Sequence, residues 1–340
     1  MSLAIIVVLC LSAMGTEANL KVGFYSYSCP KAEEIIQEEL HKALQEDKGI
    51  GSDLLRMHFH DCFGCDGSLF IDSTKDNAAE KDGKPNETVE DEAFEIIDKV
   101  KERLEAECKG TVSCADMLAF LARDMTRKRS IRSLSTPVYD VRLFLTRNRT
   151  GVVQYGGVHY PVPAGRRDGR ISRANDTIDL PPPTFTLGNL TKLFVSKGLS
   201  RDDMVALSAH TIGIAHCEAF SDRLYNFSQT AKADPSLDLK YAAQLRSECP
   251  PQSDNEVNMD PPSPLTFDSS YYHNLLVNRG LFTSDQTLMS KHGTSTLVKR
   301  FARKPALFKK KFAAAMVKMG SIGVLTGEQG EVRTNCRVVN

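Results

Sequence analysis

Apolar residues recur along most of this chain at the three-and-four spacing of a helical face, and strand-like alternation is scarce. Ile35, Ile36, Leu40, Ala43 and Leu44 share one side of a segment from Ala32 to Gln45, and Phe94, Ile97, Val100 and Leu104 repeat the pattern before Cys108. The same reading predicts helices at Leu187 to Lys197, Ser270 to Asn278, Ser295 to Phe301 and Pro305 to Met319. Ser113-Cys-Ala-Asp116 and Ser200-Arg-Asp-Asp203 have the form of capping boxes, each opening an apolar run. Pro181-Pro182-Pro183 and Asp260-Pro-Pro-Ser-Pro264 cannot be helix interiors and predict rigid turns between helices. The expectation is a mainly α fold without internal repeats.

One stretch breaks the pattern. Met125 to Tyr155 holds seven basic residues and one acidic, with neither helical periodicity nor a matched hairpin. A structureless insertion of this length is uncommon in a compact domain. It is expected to be a surface loop, or sequence foreign to the working protein.

Length permits one large domain or two ordinary ones. The formal charge is zero over 340 residues, and outside the basic stretch the chain is acidic, which argues against a polyanion- or nucleic-acid-binding protein. Leu3 to Ala13 is apolar and Thr16-Glu17-Ala18 fits a small-x-small cleavage site, so residues 1–18 read as a secretory signal, too short to span a bilayer. No basic residue precedes the apolar run, which leaves room for a start further upstream. Removal of that segment takes Cys10 and leaves Cys29, Cys62, Cys65, Cys108, Cys114, Cys217, Cys249 and Cys336. An even number in a secreted chain suggests four disulfides, with buried free thiols as the alternative. Sequons at Asn86, Asn148, Asn175, Asn189 and Asn226 agree with passage through the secretory route.

Candidate chemistry concentrates in two histidine motifs. In "LLRMHFHDCF", Leu54 to Phe63, helical geometry puts Arg56 and His60 on one face and turns His58 away from it. A guanidinium beside a neutral imidazole disfavours the protonated ring and keeps it available as a base, a pairing suited to peroxide O–O cleavage. His58 reads as a packing histidine. In "MVALSAHTIGIAHC", Met204 to Cys217, His210 follows a capped helix with Ser208, Ala209 and Gly213 nearby, small enough to let a flat group approach. From spacing alone a core histidine and a metal ligand remain equally open there.

Together with "GFYSYSCPKAEEII", "TVSCADMLAFLARD", "VPAGRRDG", "LVNRGLFTSDQTL" and "NCRVVN", these motifs resemble, in order and over nearly the whole chain after residue 18, the class III secretory haem peroxidases of plants, the horseradish peroxidase type. The resemblance implies an all-α haem peroxidase fold of roughly ten or more helices, with haem b held between a distal and a proximal half, over a single catalytic domain at 19–340. It implies a secreted monomer, in cell wall or vacuole, that uses hydrogen peroxide to oxidise phenolic donors in one-electron steps through compounds I and II, without nucleic-acid or membrane partners. His60 would be the distal acid/base, Arg56 its partner in stabilising charge, Phe59 a wall of the pocket, and Asn86 the acceptor that holds His60. Such an Asn86 should be buried and unglycosylated. His210 would be the proximal iron ligand and Asp285 the acceptor of its other ring proton; taken alone, Asp285 also passes as a helix cap. Pro181 would present a carbonyl where donors bind.

The resemblance also implies disulfides Cys29–Cys108, Cys114–Cys336, Cys217–Cys249 and Cys62–Cys65, and a proximal calcium on Thr211, Asp260, Ser263, Thr266 and Asp268. Asp61, Gly64, Asp66 and Ser68 match the distal calcium ligands. There, however, Cys62-Phe-Gly-Cys65 is two residues shorter than the family's loop, and one missing residue is a ligand, which argues against that site. Tyr160 stands where the family usually has tryptophan. The shortened loop and the insertion leave a second reading, a secreted disulfide-stabilised protein of the same fold without turnover.

Overall fold

The structure is a computed structural model that describes residues 20–62, 64–126 and 156–340. The signal-like residues, nearly all of the basic stretch and the sequon at Asn148 lie outside the described residues. Met125 and Thr126, counted above with that stretch, instead end a buried helix.

Four helices form the first half: α1 (Ala32–Glu46), α2 (Ile50–Asp61), α3 (Asp91–Cys108) and α4 (Cys114–Thr126). Every residue of α4 is buried, as an apolar run such as Met117 to Ala122 requires, and α1, α2 and α3 pack around it. The second half contains α5 (Leu187–Ser196), α6 (Arg201–Leu207), α7 (Ser221–Tyr225), α8 (Leu239–Glu248), α9 (Ser270–Leu276), α10 (Thr283–Gln286), α11 (His292–Arg303) and α12 (Pro305–Met319). Within this half α12 packs on α6 and α11 on α9, and their buried residues belong to the same core as the first half, while Phe220, Leu224, Tyr241 and Leu245 make a smaller cluster with Cys217 and Cys249. Two short antiparallel pairs complete the described residues: β1 (Lys21–Val22) with β2 (Pro163–Ala164), and β3 (Ile214–His216) with β4 (Glu256–Asn258), the latter in the register Ile214 to Asn258 and His216 to Glu256. The all-α expectation holds.

All four implied disulfides are present. Cys29–Cys108 ties the lead-in of α1 to the end of α3, and Cys114–Cys336 ties α4 to the carboxyl-terminal segment across 222 residues. Ser200 and Asp203 form the complete capping box expected of them. Ser113 and Asp116 form only half of one: Ser113 Oγ accepts from the Asp116 amide at 3.1 Å, but the Asp116 carboxylate does not turn back. It is fully buried and accepts from Tyr25 Oη at 2.7 Å, the Gly165 amide at 2.6 Å and Arg166 Nη1 at 2.7 Å. A buried carboxylate needs a countercharge more than a helix needs a second cap, and removing one member of such a pair costs about 3–5 kcal/mol.

Candidate active site

Local sequence fixes the distal wall. Arg56 and His60 lie one turn apart on α2, and Phe59 between them stacks on Phe194 of α5 with ring centroids 6.3 Å apart. His60 Nδ1 lies 2.5 Å from Asn86 Oδ1, while Asn86 Nδ2 donates to the Glu80 carbonyl at 2.7 Å. That second bond sets the amide's orientation, so Oδ1 faces the ring as an acceptor and Nδ1 carries the proton. Nε2 is left as the basic nitrogen. Asn86 is 2% exposed, as a residue in this role should be, and the sequon there is internal. The His60 pKa is pulled down to about 3 by burial first and the Arg56 charge second, with Asn86 opposing.

Arg56 is anchored in a way the sequence did not disclose. Its guanidinium donates to the carbonyls of Thr88 and Pro85 at 2.8 and 2.9 Å and to Thr88 Oγ1 at 2.8 Å, gripping the turn that presents Asn86. His58 points away, buried beside Cys62 Sγ at 3.4 Å, and burial together with Arg166 pulls its pKa to about 3. It is the packing histidine that helical geometry predicted. Tyr160 is buried nearby, its hydroxyl without a partner among the described residues.

Asp53, one turn before Arg56, accepts no hydrogen bond among the described residues. Its pKa is raised to about 7, by burial above all; Arg56 opposes, and Glu90, Asp47 and Glu256 add to the rise.

Beneath the distal wall three carboxylates converge. Asp61 is buried with Oδ1 lacking a hydrogen-bond partner among the described residues, and burial plus the charges of Asp66 and Glu80 hold its carboxyl well above the usual range. Ser68 Oγ donates to Glu80 Oε1 at 2.9 Å and the Ser68 amide donates to Asp66 Oδ1 at 3.1 Å. Glu80, whose side chain belongs to this group and whose carbonyl orients Asn86, connects it to His60. Gly64, inside the Cys62–Cys65 loop, donates its amide to the Asp61 carbonyl at 2.8 Å.

On the proximal side His210 follows α6, and its Nδ1 lies 2.7 Å from Asp285 Oδ1. Asp285 performs both roles left open by the sequence, because Oδ2 accepts from the Phe282 amide at 2.8 Å and caps α10. Tyr271 of α9 adds a third bond, its hydroxyl donating to Asp285 Oδ1 at 3.0 Å. No motif pointed to Tyr271; its only signal is the fold that carries α9 beside α10. Gly213 has a different reason from the one expected. Its φ is +97°, and a Cβ there would meet Ser52 Cβ at 2.9 Å, so it admits α2 to the segment after His210.

Thr211 Oγ1 lies 3.3 Å from Asp260 Oδ2, 3.4 Å from the Thr266 carbonyl and 3.5 Å from Asp268 Oδ1, and Ser263 Oγ lies 3.4 Å from Asp260 Oδ2. Five oxygens, two of them carboxylate, suit a hard cation. Pro181 starts the proline turn, whose Pro183 carbonyl accepts from the Ser284 amide at 2.9 Å beside Asp285.

A family model described as Peroxidase matches residues 36–304. The chain is 51% identical to Peroxidase 5 of Vitis vinifera over 99% of its length and 96% of that protein. It is 45% identical to Peroxidase 1 of Oryza sativa subsp. japonica, over 97% and 95%, and 44% identical to Peroxidase 3 of Arabidopsis thaliana, over 95% and 93%. Its paired imidazoles and these relatives agree: the chain belongs to the peroxidase family, of the plant class III type its motifs resemble, and is a peroxidase.

Proposed function

We propose that the protein acts outside the cell as a haem-dependent peroxidase in which His60, Arg56 and Asn86 handle hydrogen peroxide and His210, Asp285 and Tyr271 hold the iron. The observation that carries this reading is the matched pair of oriented imidazoles, each with Nδ1 engaged and Nε2 without a hydrogen bond among the described residues. His210 is 42% exposed at its side chain, so the ring has an open side from which a flat prosthetic group can be ligated. Haem supplies a redox-active iron that takes two oxidising equivalents from peroxide and returns them singly to donors.

The chain's own residues supply proton handling and charge. His60 Nε2 would take a proton from one oxygen of hydrogen peroxide and return it to the other, which would leave as water. Arg56, fixed by its carbonyl contacts, presents a permanent positive charge to the negative charge that develops during O–O cleavage. Phe59, held by Phe194, walls the pocket. Asp285 accepts the Nδ1 proton of His210 and makes that imidazole a stronger donor. Small phenols, donating near the Pro181 turn, complete the cycle.

Calcium fits both oxygen clusters. On the proximal side it would sit among Thr211, Asp260, Ser263, Thr266 and Asp268. On the distal side the orphaned Asp61 Oδ1, with Asp66, Gly64, Ser68 and Glu80 around it, supports a cation despite the short loop. The reading without turnover gains no support from the relatives. The test is the absorption spectrum of the haem-loaded protein before and after one equivalent of hydrogen peroxide. A Soret band that bleaches and shifts, then recovers on adding a phenol, is the expected result; haem that does not respond to peroxide would overturn the proposal.

A further inference from the structure

Away from both calcium clusters, one group of side chains has ligand atoms close together and no role in the chemistry above. Glu90, His216 and Glu256 each bring a ligand atom to within 4.8 Å of the others. They come from separate places. His216 and Glu256 are register partners across β3 and β4, which sets their side chains on one face of the hairpin. Glu90 is the residue that precedes α3, and although it stands at the N-cap its side chain makes no cap bond. The cluster therefore spans the gap between the distal half and the hairpin that follows His210.

Its members lack the partners that would explain them otherwise. Among the described residues His216 Nδ1 is buried without a hydrogen bond, and its ion-pair neighbour, the largely exposed Asp254 carboxylate, stands 3.3 Å away. Neither the Glu90 nor the Glu256 side chain forms a hydrogen bond or an ion pair among the described residues, and the Asp53 carboxylate, whose charge acts on the same region, is likewise without a side-chain partner there. Arg56 is the cation whose charge reaches Glu90, but its Nη1 and Nη2 groups donate to Pro85 and Thr88 rather than to this cluster. One imidazole and two carboxylates in a negative field, facing a water-accessible rim, form a donor set for a divalent transition metal rather than for calcium, which prefers oxygen alone.

We propose that Glu90, His216 and Glu256 bind one divalent transition-metal ion, such as Mn2+, that clamps the distal half to the β3–β4 hairpin. The test is a Mn2+ titration of the haem-loaded protein in millimolar Ca2+, which keeps the oxygen-only sites filled, with free aqueous Mn2+ read by electron paramagnetic resonance. One bound Mn2+ per chain is expected, weakened at least tenfold by H216Q and by E256Q. E90Q should weaken it as well, and because Glu90 and Glu256 are exposed, these variants should fold normally. E328Q, at an exposed turn, removes the same charge elsewhere and should leave affinity unchanged. No Mn2+ bound in excess calcium, or binding equal in wild type and the His216 and Glu256 variants, would overturn the proposal.

Discussion

The two halves of this molecule use the same side chain in opposite ways. The distal His60 sits on a continuous helix, is held through Nδ1 by a neutral amide, and stands beside a guanidinium. The proximal His210 sits just past a helix end, is held through Nδ1 by a carboxylate, and has no guanidinium bonded to it. An amide can only orient the ring, so burial and Arg56 keep His60 neutral and ready to accept a proton. A carboxylate can also share the ring proton, which would make His210 a strong ligand. The partner of Nδ1, more than the histidine, decides the role.

The largest test of this contrast is His60→Leu. Loss of the base should slow the peroxide reaction by at least ~10²–10⁴-fold, read by stopped-flow absorbance, with haem binding retained. Asp285→Asn should act on the other half: the reduction potential of the haem iron should rise, and activity or iron affinity fall by roughly 10–100-fold, checked by spectroelectrochemistry. If Asp285→Asn slowed the peroxide step as much as His60→Leu while leaving the potential unchanged, the division of labour would collapse.

A third prediction concerns the two buried imidazoles of α2. His58 and His60 both have folded-state pKa values near 3, below the ordinary 6.5 they regain on unfolding. The unfolded chain therefore binds protons first, so full stability is present above pH 6.5 and is lost as pH falls towards 3. Melting temperature should drop through that window, and His58→Gln should make the drop shallower without abolishing the peroxide reaction. An unchanged slope would refute the buried neutral state of His58. The smallest effect belongs to Tyr271→Phe, which removes one of three bonds to Asp285; with less of its charge drawn off, the carboxylate pulls harder on the His210 proton, so the potential should fall, opposite to Asp285→Asn and by a fraction of its size. A rise, or no change, would show that Tyr271 does not restrain the Asp285 charge.

How much of this was legible beforehand depended on how local each cause was. The Arg56, His60 and His58 faces follow from the helical period, and the Ser200 cap from four consecutive residues. Ser113-Cys-Ala-Asp116 has the same local form, yet Asp116 went to Arg166, fifty residues away, because burial changed what its charge required. The small residues around His210 suggested room for a flat group, whereas Gly213 makes room for Ser52.

By itself the sequence determined the α-helical character, the order of the motifs, which histidine shares a face with Arg56, and, through family resemblance, the disulfide pairs. Only tertiary structure decided that Arg56 grips the turn carrying Asn86, that Tyr271 reaches Asp285, that Asp61 is left with an orphaned oxygen, and that Glu90 meets His216 and Glu256. The first group depends on periodicity and short spacing, which a chain carries along its length. The second depends on which helix ends and turns are brought together by packing, and on the burial that packing imposes on their charges.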